Sequence, residues 1–271
     1  MNNGKEYALK CIEIKNSRSA FLEARILERV SDHPNIAKLH QVICNKTEIY
    51  LVLELVKGCT FMDLMLTHKV IPESCAKKWM IQLTDAMSYI HSKSIIHRDI
   101  KAGNVMIDIY GNAKLIDFGV GEENHANWSN MVAGTVTCMS PEMLRDGHYN
   151  GYNNDVWSLG VLLFTMVSGF HPFDKDVGGH YRARFNGNNY KTWLMSELVT
   201  STINNNYQVP AGVSWECRDL IEKCMTSIGS PRIKSNVILT HLWFKKCSND
   251  SNISPNGYVI KMPFSPLYKF K

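Results

Sequence analysis

The chain has 271 residues, 45% of them hydrophobic and 20% charged, with a formal net charge of +5. That length suffices for a substantial core in one domain or two lobes, and the composition is that of an ordinary globular protein. The charge excess is too mild to indicate nucleic acid and fits a solvated surface that tolerates anionic ligands.

In chain order, Asn2-Asn3-Gly4 signals a turn, and residues 6–12 alternate as a strand does. Residues 18–30 place Phe21, Leu22, Ile26, Leu27 and Val30 at helical spacing, and Ser31-Asp32-His33-Pro34 stops that helix. Two more strands are expected over 36–42 and 48–54, so the first part reads as a small sheet with one helix. From Pro72 onward the pattern is mostly helical. Ser74 is placed to cap a helix whose apolar face includes Ala76, Met80, Leu83, Met87 and Ile90. Residues 105–107 and 114–116 predict a hairpin around a turn containing Gly111-Asn112. Helices are expected near 155–168, 192–203, 215–225 and 235–243. The stretch 156–167 is apolar almost all round but too short to span a bilayer, so it predicts a buried core helix. Residues 178–189, with Arg182 and Arg184, read as a polar surface loop, and 247–271 as a tail.

Eight cysteines occur: Cys11, Cys44, Cys59, Cys75, Cys138, Cys217, Cys224 and Cys247. None forms a C-x-x-C pair or meets a histidine at zinc spacing, which predicts free thiols in a reducing compartment.

The chemistry concentrates around the hairpin. His97-Arg98-Asp99 precedes it, Asp117-Phe118-Gly119 follows it, and Lys101 and Asn104 lie between. Asn104 opens one strand and Asp117 closes its antiparallel partner, so both are expected at one end of the hairpin. An amide and a carboxylate there suit magnesium, which prefers oxygen ligands. Asp99 can orient a hydroxyl and take its proton, and Lys101 can offset charge growing on a transferred phosphate.

On these residues the chain resembles the eukaryotic protein kinase domain, over about residues 4–246. Ala8-Leu9-Lys10 resembles the family's V-A-I-K strand, and Glu23 falls where the family's helix-C glutamate pairs with that lysine. His33-Pro34-Asn35-Ile36 matches the turn after that helix, and Leu53-Glu54-Leu55-Val56 resembles the gatekeeper and hinge. His97-Arg98-Asp99-Ile100-Lys101-Ala102-Gly103-Asn104 is similar to the catalytic loop, and Asp117-Phe118-Gly119 to the metal-binding triplet. Gly134-Thr135 and Ser140-Pro141-Glu142 match the end of the activation segment. Asp155-Val156-Trp157-Ser158-Leu159-Gly160 resembles the central helix of the large lobe, and Arg232 the arginine that pairs with Glu142. Lys101, two residues after Asp99, is the serine/threonine pattern. Residues 150–174 are similar to the calcium/calmodulin-dependent and AMP-activated branch.

The resemblance implies an α+β bilobal fold: a small lobe and hinge over 1–56 with about three strands, a larger mainly helical lobe over 57–246, and the tail. It implies transfer of the γ-phosphoryl of Mg-ATP to Ser or Thr hydroxyls of protein substrates. Asp99, Lys101 and Asn104 would be catalytic. Lys10, Glu23, Asp117, Met106 and the backbone of Glu54 and Val56 would bind ATP, with Asn104 and Asp117 on Mg2+. His97 is expected to stack with Phe118, Leu27 and Leu39 rather than carry protons. Thr135 is expected to bond Asp99 and Lys101. Arg98 is placed to receive a phosphate added by an upstream kinase, with Ser129 favoured over Thr135 and Thr137; the alternative is that no phosphorylation is needed. No nucleic-acid or membrane partner is implied, and the compartment expected is the cytoplasm, with the nucleus as alternative.

The sequence departs from the family in two ways. Only Met1-Asn2-Asn3-Gly4-Lys5 precedes Glu6, where the family carries G-x-G-x-x-G-x-V. Loss of its two or three charge-assisted hydrogen bonds would cost ~3–6 kcal/mol, roughly 10²–10⁴ in nucleotide affinity. A fragment or mis-started gene model, a weak but active kinase, and a regulatory or scaffold module that kept its catalytic residues all stay open. Thr60 and Gly103 stand where arginine-directed relatives carry acids, which argues against basophilic specificity. A small-molecule phosphotransferase is the enzyme alternative, opposed by the Ser140-Pro141-Glu142 segment and the helix at Asp155.

Overall fold

The computed structural model describes residues 4–124, 128–174, 188–226 and 231–245. The fold is α+β, as expected. Strands β1 (Tyr7–Glu13), β2 (Leu39–Cys44) and β3 (Glu48–Glu54) form an antiparallel sheet in the order β1-β3-β2, with Lys10 opposite Leu51. Helix α1 (Ser17–Val30) buries Ala20, Glu23, Ala24, Ile26, Leu27 and Val30. Phe21, expected inward, is half exposed because the buried stripe is phased on Glu23 instead. A parallel bridge between Ile36 and Leu115 joins this first part to the rest.

A second sheet, ordered β4-β6-β7, is made of β4 (Gly58–Thr60), β6 (Val105–Asp108) and β7 (Ala113–Leu115). The β6–β7 register pairs Val105 with Leu115, so Asn104 and the segment 116–117 leave the hairpin at the same end. Helix α2 (Phe61–His68) escaped the periodicity reading. It begins at a capping box in which Thr60 and Asp63 satisfy each other's backbone N–H, a local signal that lies ahead of the strongly periodic region.

The long helices assemble the larger part. Helix α3 (Glu73–Ser92) buries Ala76, Met80, Leu83, Met87 and Ile90, as the spacing predicts. Its cap is not Ser74: Pro72 takes the extended N-cap conformation (φ −55°, ψ 140°), which places Ser74 inside the first turn. Two-residue strands β5 (Ile95–Ile96) and β8 (Glu122–Glu123) pair, and so do β9 (Trp128–Ser129) and β10 (Tyr149–Asn150). Helix α4 (Pro141–Asp146) separates β9 from β10.

Helix α5 (Gly151–Ser168) is buried on nearly every side, and Asn150 caps it by accepting the Asn153 N–H. It is followed by α6 (Asn188–Ile203) and α7 (Trp215–Cys224). Helix α5 packs so closely on α7 that a Cβ at Gly160 would lie 2.7 Å from the Cys224 Cβ. The helix expected over 235–243 is instead a 3-10 turn at Ser235–Thr240 followed by α8 (Leu242–Lys245). One contiguous apolar core runs from Ala20 and Leu27 through Leu83, Phe118 and Leu163 to Trp243.

Among the described residues no helix is long and apolar enough to cross a membrane. Cys11, Cys44, Cys59, Cys75, Cys138, Cys217 and Cys224 are unbridged. The tail 247–271, Arg182, Arg184 and the expected loop up to residue 187 lie outside the described residues.

Candidate active site

The loop between β5 and β6 is built on a buried carboxylate. Asp155 of α5 is fully buried and accepts the backbone N–H groups of His97 and Arg98, each at 2.8 Å, and the Nε2–H of His91 at 2.9 Å. Burial works against its charge, but His91 and His97 outweigh that and hold the carboxyl below the usual range. The two N–H bonds fix Arg98 in the left-handed region, at φ 66°. The His97 ring lies 4.6 Å from the Phe118 ring in a tilted contact. Its Nδ1 accepts the Asp99 N–H at 3.2 Å and its Nε2 faces the Ile116 carbonyl at 3.3 Å, an arrangement that requires a neutral ring. Burial lowers its pKa accordingly. His97 is therefore a spacer within the core, as the sequence suggests.

Asp99 emerges from this loop into a tight cluster. Lys101 Nζ donates to Asp99 Oδ2 at 2.7 Å and to Thr135 Oγ1 at 2.6 Å, and the Thr135 N–H donates to Asp99 Oδ1 at 2.9 Å. Asn104 Nδ2 donates to the Asp99 carbonyl at 2.9 Å and to Asp99 Oδ2 at 2.8 Å. Burial alone would raise the Asp99 pKa, but the bonds from Lys101 and Thr135 hold it below the ordinary aspartate range. Thr135 reaches this position because Gly134 precedes it. Gly134 has φ 109°, and a Cβ there would fall 2.3 Å from the Arg98 carbonyl oxygen.

A second cluster forms where β1, α1 and the segment after β7 meet. Lys10 Nζ donates to Glu23 Oε1 at 2.7 Å and Oε2 at 2.8 Å, and to Asp117 Oδ1 at 2.7 Å. For Lys10, burial opposes the charge, but Glu23 and Asp117 outweigh it and raise its pKa. Burial raises the pKa of the Glu23 carboxyl, and Lys10 offsets this only in part. The Asp117 pKa is lowered: burial opposes the charge, while Lys10 and the Gly119 N–H favour it. Asp117, like Arg98, is left-handed, at φ 61°.

Both Asn104 amide hydrogens are engaged by Asp99, which leaves its carbonyl oxygen as the group suited to a cation. The Asp117 side chain is 39% exposed and ionised. An amide oxygen and a carboxylate are a donor set that fits magnesium.

Met106 packs with Ala37, Val56 and Ile116 in a small separate apolar cluster. Glu54 uses its side chain on Lys114 at 2.9 Å, and its N–H on the Lys38 carbonyl at 2.8 Å.

Two outer contacts complete the frame. Arg232 meets Glu142 at 2.6 and 3.1 Å and lies 5.0 Å above the Trp157 ring. Burial opposes the charge of Glu142, but Arg232 holds its pKa below the usual glutamate range. Arg98 does not point to an open anion site. Its Nε donates to the Val120 carbonyl at 2.6 Å and its Nη1 to Glu122 at 2.7 Å. Ser129, favoured from the sequence as a phosphate acceptor, is 3% exposed and donates to the same Glu122 carboxylate at 2.8 Å. That expectation is corrected, because the hydroxyl is enclosed by the β9–β10 pairing and faces a negative charge. Sequence reasoning missed Asp155 as a clamp, Glu122 as the arginine's partner and the Lys10–Asp117 contact. The acidic pair Glu122-Glu123, three residues past Gly119, is visible in the sequence, but the partners that each carboxylate faces are not.

Residues 1–244 match the protein kinase domain family. The chain is 34% identical over 222 residues to the probable serine/threonine-protein kinase MARK-A of Dictyostelium discoideum, covering 82% of this chain and 19% of that protein. It is 33% identical over 240 residues to sperm motility kinase 2B of Mus musculus, covering 88% and 45% respectively. It is 29% identical over 261 residues to CBL-interacting serine/threonine-protein kinase 7 of Arabidopsis thaliana, covering 93% and 57%. The chain thus spans less than two thirds of the length of these relatives.

Proposed function

The chain belongs to the protein kinase domain family, and from that premise we propose that it transfers the γ-phosphoryl of Mg-ATP to Ser or Thr hydroxyls of protein substrates. The observation that carries this reading is the Asp99 cluster. A single ionised carboxylate is held by Lys101, Thr135 and Asn104, with its side chain 10% exposed beside the 30% exposed Lys101.

In this reading the substrate hydroxyl donates to Asp99, which orients its oxygen toward the γ-phosphorus and takes up the proton as the new O–P bond forms. The bond from the γ-phosphorus to the bridging oxygen breaks, and ADP leaves with the electron pair. Lys101 would offset negative charge on the transferred group. Lys10, oriented by Glu23, would bind the α- and β-phosphates. Magnesium, when bound, supplies charge neutralisation on the phosphates, and Asn104 and Asp117 would hold it. The apolar cluster of Val56, Met106, Ala37 and Ile116 would face the base, with the backbone of Glu54 and Val56 reading its edge. The hinge would then lie near Val56, with a small lobe over 1–56 and a large one over 57–246. Cysteines without zinc or pairing spacing support a reducing, intracellular setting.

Transfer of labelled phosphate from γ-labelled ATP to a generic protein substrate tests the reading. Asp99→Asn and Asp117→Ala should each abolish it, while nucleotide still raises the melting temperature of Asp99→Asn. Transfer that survives both substitutions would refute the assignment. Transfer to small alcohols but never to protein would favour a small-molecule phosphotransferase, and nucleotide binding without transfer a scaffold.

A further inference from the structure

Arg98 is 3% exposed, and its guanidinium is already committed. Besides the Val120 carbonyl and Glu122, it reaches the Met131 carbonyl at 3.2 Å and the Met131 sulfur at 3.5 Å. The Glu122 carboxylate is shared in turn: Oε2 also accepts from Ser129, and Oε1 from Asn124 Nδ2 at 3.3 Å. One carboxylate therefore gathers the backbone before Asp99, the end of the segment after Gly119, and the stretch 129–131 that leads to Thr135.

Glu122 sits where it does because β8 pairs with β5, which places it opposite Ile96, directly before His97. Successive side chains on a strand point to opposite faces. Glu123 accordingly turns the other way, to Arg25 at 2.6 Å and Arg29 at 2.8 Å on α1, the helix that carries Glu23. The two sides differ in strength. Arg25 is 61% exposed in its side chain, and such pairs contribute little. The Arg98–Glu122 pair is largely enclosed, with side-chain exposures of 3% and 26%, and breaking an enclosed pair is costly.

We infer that Glu122 is a positioning residue for phosphoryl transfer: its carboxylate holds Arg98, and through it Asp99 and Thr135, without a phosphate on the segment 128–137. A phosphate on Ser129 would bring further negative charge against Glu122 and break the existing network. The inference rests on the kinase reading above for its link to turnover, but not for the geometry it describes.

The test uses the full chain, treated with a broad-specificity phosphatase before assay with ATP and a generic protein substrate. The treated wild type keeps its kcat. Glu122→Gln preserves shape and removes the charge. It should lower kcat at least about tenfold, the effect of one lost charge-assisted hydrogen bond, with the KM for ATP within about twofold. Glu122→Asp should recover part of the loss, and Glu122→Gln should add nothing in an Arg98→Met background. A fall in kcat on phosphatase treatment, a wild-type kcat in Glu122→Gln, or additive losses with Arg98→Met would overturn the inference. If the wild type transfers no phosphate, the kinase reading fails separately, and hydrogen exchange over 97–101 and 131–137 decides the geometry. Faster exchange of these peptides in Glu122→Gln supports the positioning role, and unchanged exchange overturns it.

Discussion

Replacing Asp155 gives the sharpest check on how the site is held. Its Oδ2 serves both His91 and the His97 N–H, and its Oδ1 serves the Arg98 N–H. Asp155→Asn keeps the volume but has one oxygen. The lower-energy amide orientation leaves that oxygen at the doubly used position and turns the NH2 against the Arg98 N–H. One charge-assisted bond is then lost, about 1.5–3 kcal/mol, and the other two weaken without the formal charge. The expected destabilisation is about 2–4 kcal/mol, or roughly 5–12 °C in melting temperature for a chain of this size. Asp155→Ala strands two buried backbone N–H groups at about 1–3 kcal/mol each and should cost about 3–6 kcal/mol. Urea unfolding followed by tryptophan fluorescence measures both, with Trp157 two residues away on α5. Hydrogen exchange adds a local signature, since the Arg98 amide should lose protection in Asp155→Asn before the rest of α5 does. A loss below about 1 kcal/mol in Asp155→Asn, with the Arg98 amide still protected, would refute the view that this carboxylate clamps the loop.

His97 is buried and His171 partly buried, both with pKa values lowered by desolvation, and each accepts a backbone N–H at Nδ1. Both therefore bind protons more readily when unfolded, so stability should fall as pH drops below about 6.5, and a melting temperature that rises from pH 7.5 to 5.5 would contradict this. Glu142→Gln removes the counter-charge of an arginine whose side chain is 4% exposed and should cost about 3 kcal/mol in urea unfolding. Glu142→Gln combined with Arg232→Met should cost less than the sum of the two single changes. Gly134→Ala places a Cβ 2.3 Å from the Arg98 carbonyl oxygen at φ 109° and should displace Thr135. The readout is a lower kcat with a melting temperature changed by only a few degrees, as expected when about 1–3 kcal/mol of local strain is added.

Much of the site's placement is legible from short-range order. The hairpin expected from 105–107 and 114–116 forms with its second strand one residue earlier, at 113–115, and Asn104 and the start of Asp117-Phe118-Gly119 still leave it at one end. Lys10 and Glu23 sit on a strand and a helix whose periods are plain, although Phe21 shows that the helix phase follows the buried Glu23 rather than the largest apolar residue. What escaped the sequence is set by packing at a distance. A two-residue strand such as β8 has no periodicity to read, so nothing local says that Glu122 faces Arg98 and Glu123 faces α1. Ser129 looks like an ordinary activation-segment hydroxyl until β9 pairs with β10 and encloses it. The start of α3 was misassigned because Ser74 suits a cap chemically, while Pro72 already supplies the non-helical conformation two residues earlier.

Two of the non-glycine residues with left-handed backbone, Arg98 and Asp117, stand at the heart of the site. Such a conformation costs an L-residue about 1–2 kcal/mol, so each must be held by its surroundings. Arg98 is held from below by Asp155 and from the side by Glu122. Asp117 is held by Lys10 and by the Gly119 N–H at 3.2 Å. The two anchorages differ in kind. Asp155 and Glu122 lie outside the reacting groups, so they can fix the Asp99 loop whether or not a ligand is bound. Lys10 and Asp117 are themselves the groups proposed to meet phosphate and magnesium, so a ligand that engages them competes with their mutual 2.7 Å contact. Substitutions beneath Asp99 should therefore change stability and turnover together. A charge-removing change at Lys10 should weaken nucleotide binding while leaving the Asp99 cluster, with its bonds to Lys101, Thr135 and Asn104, in place.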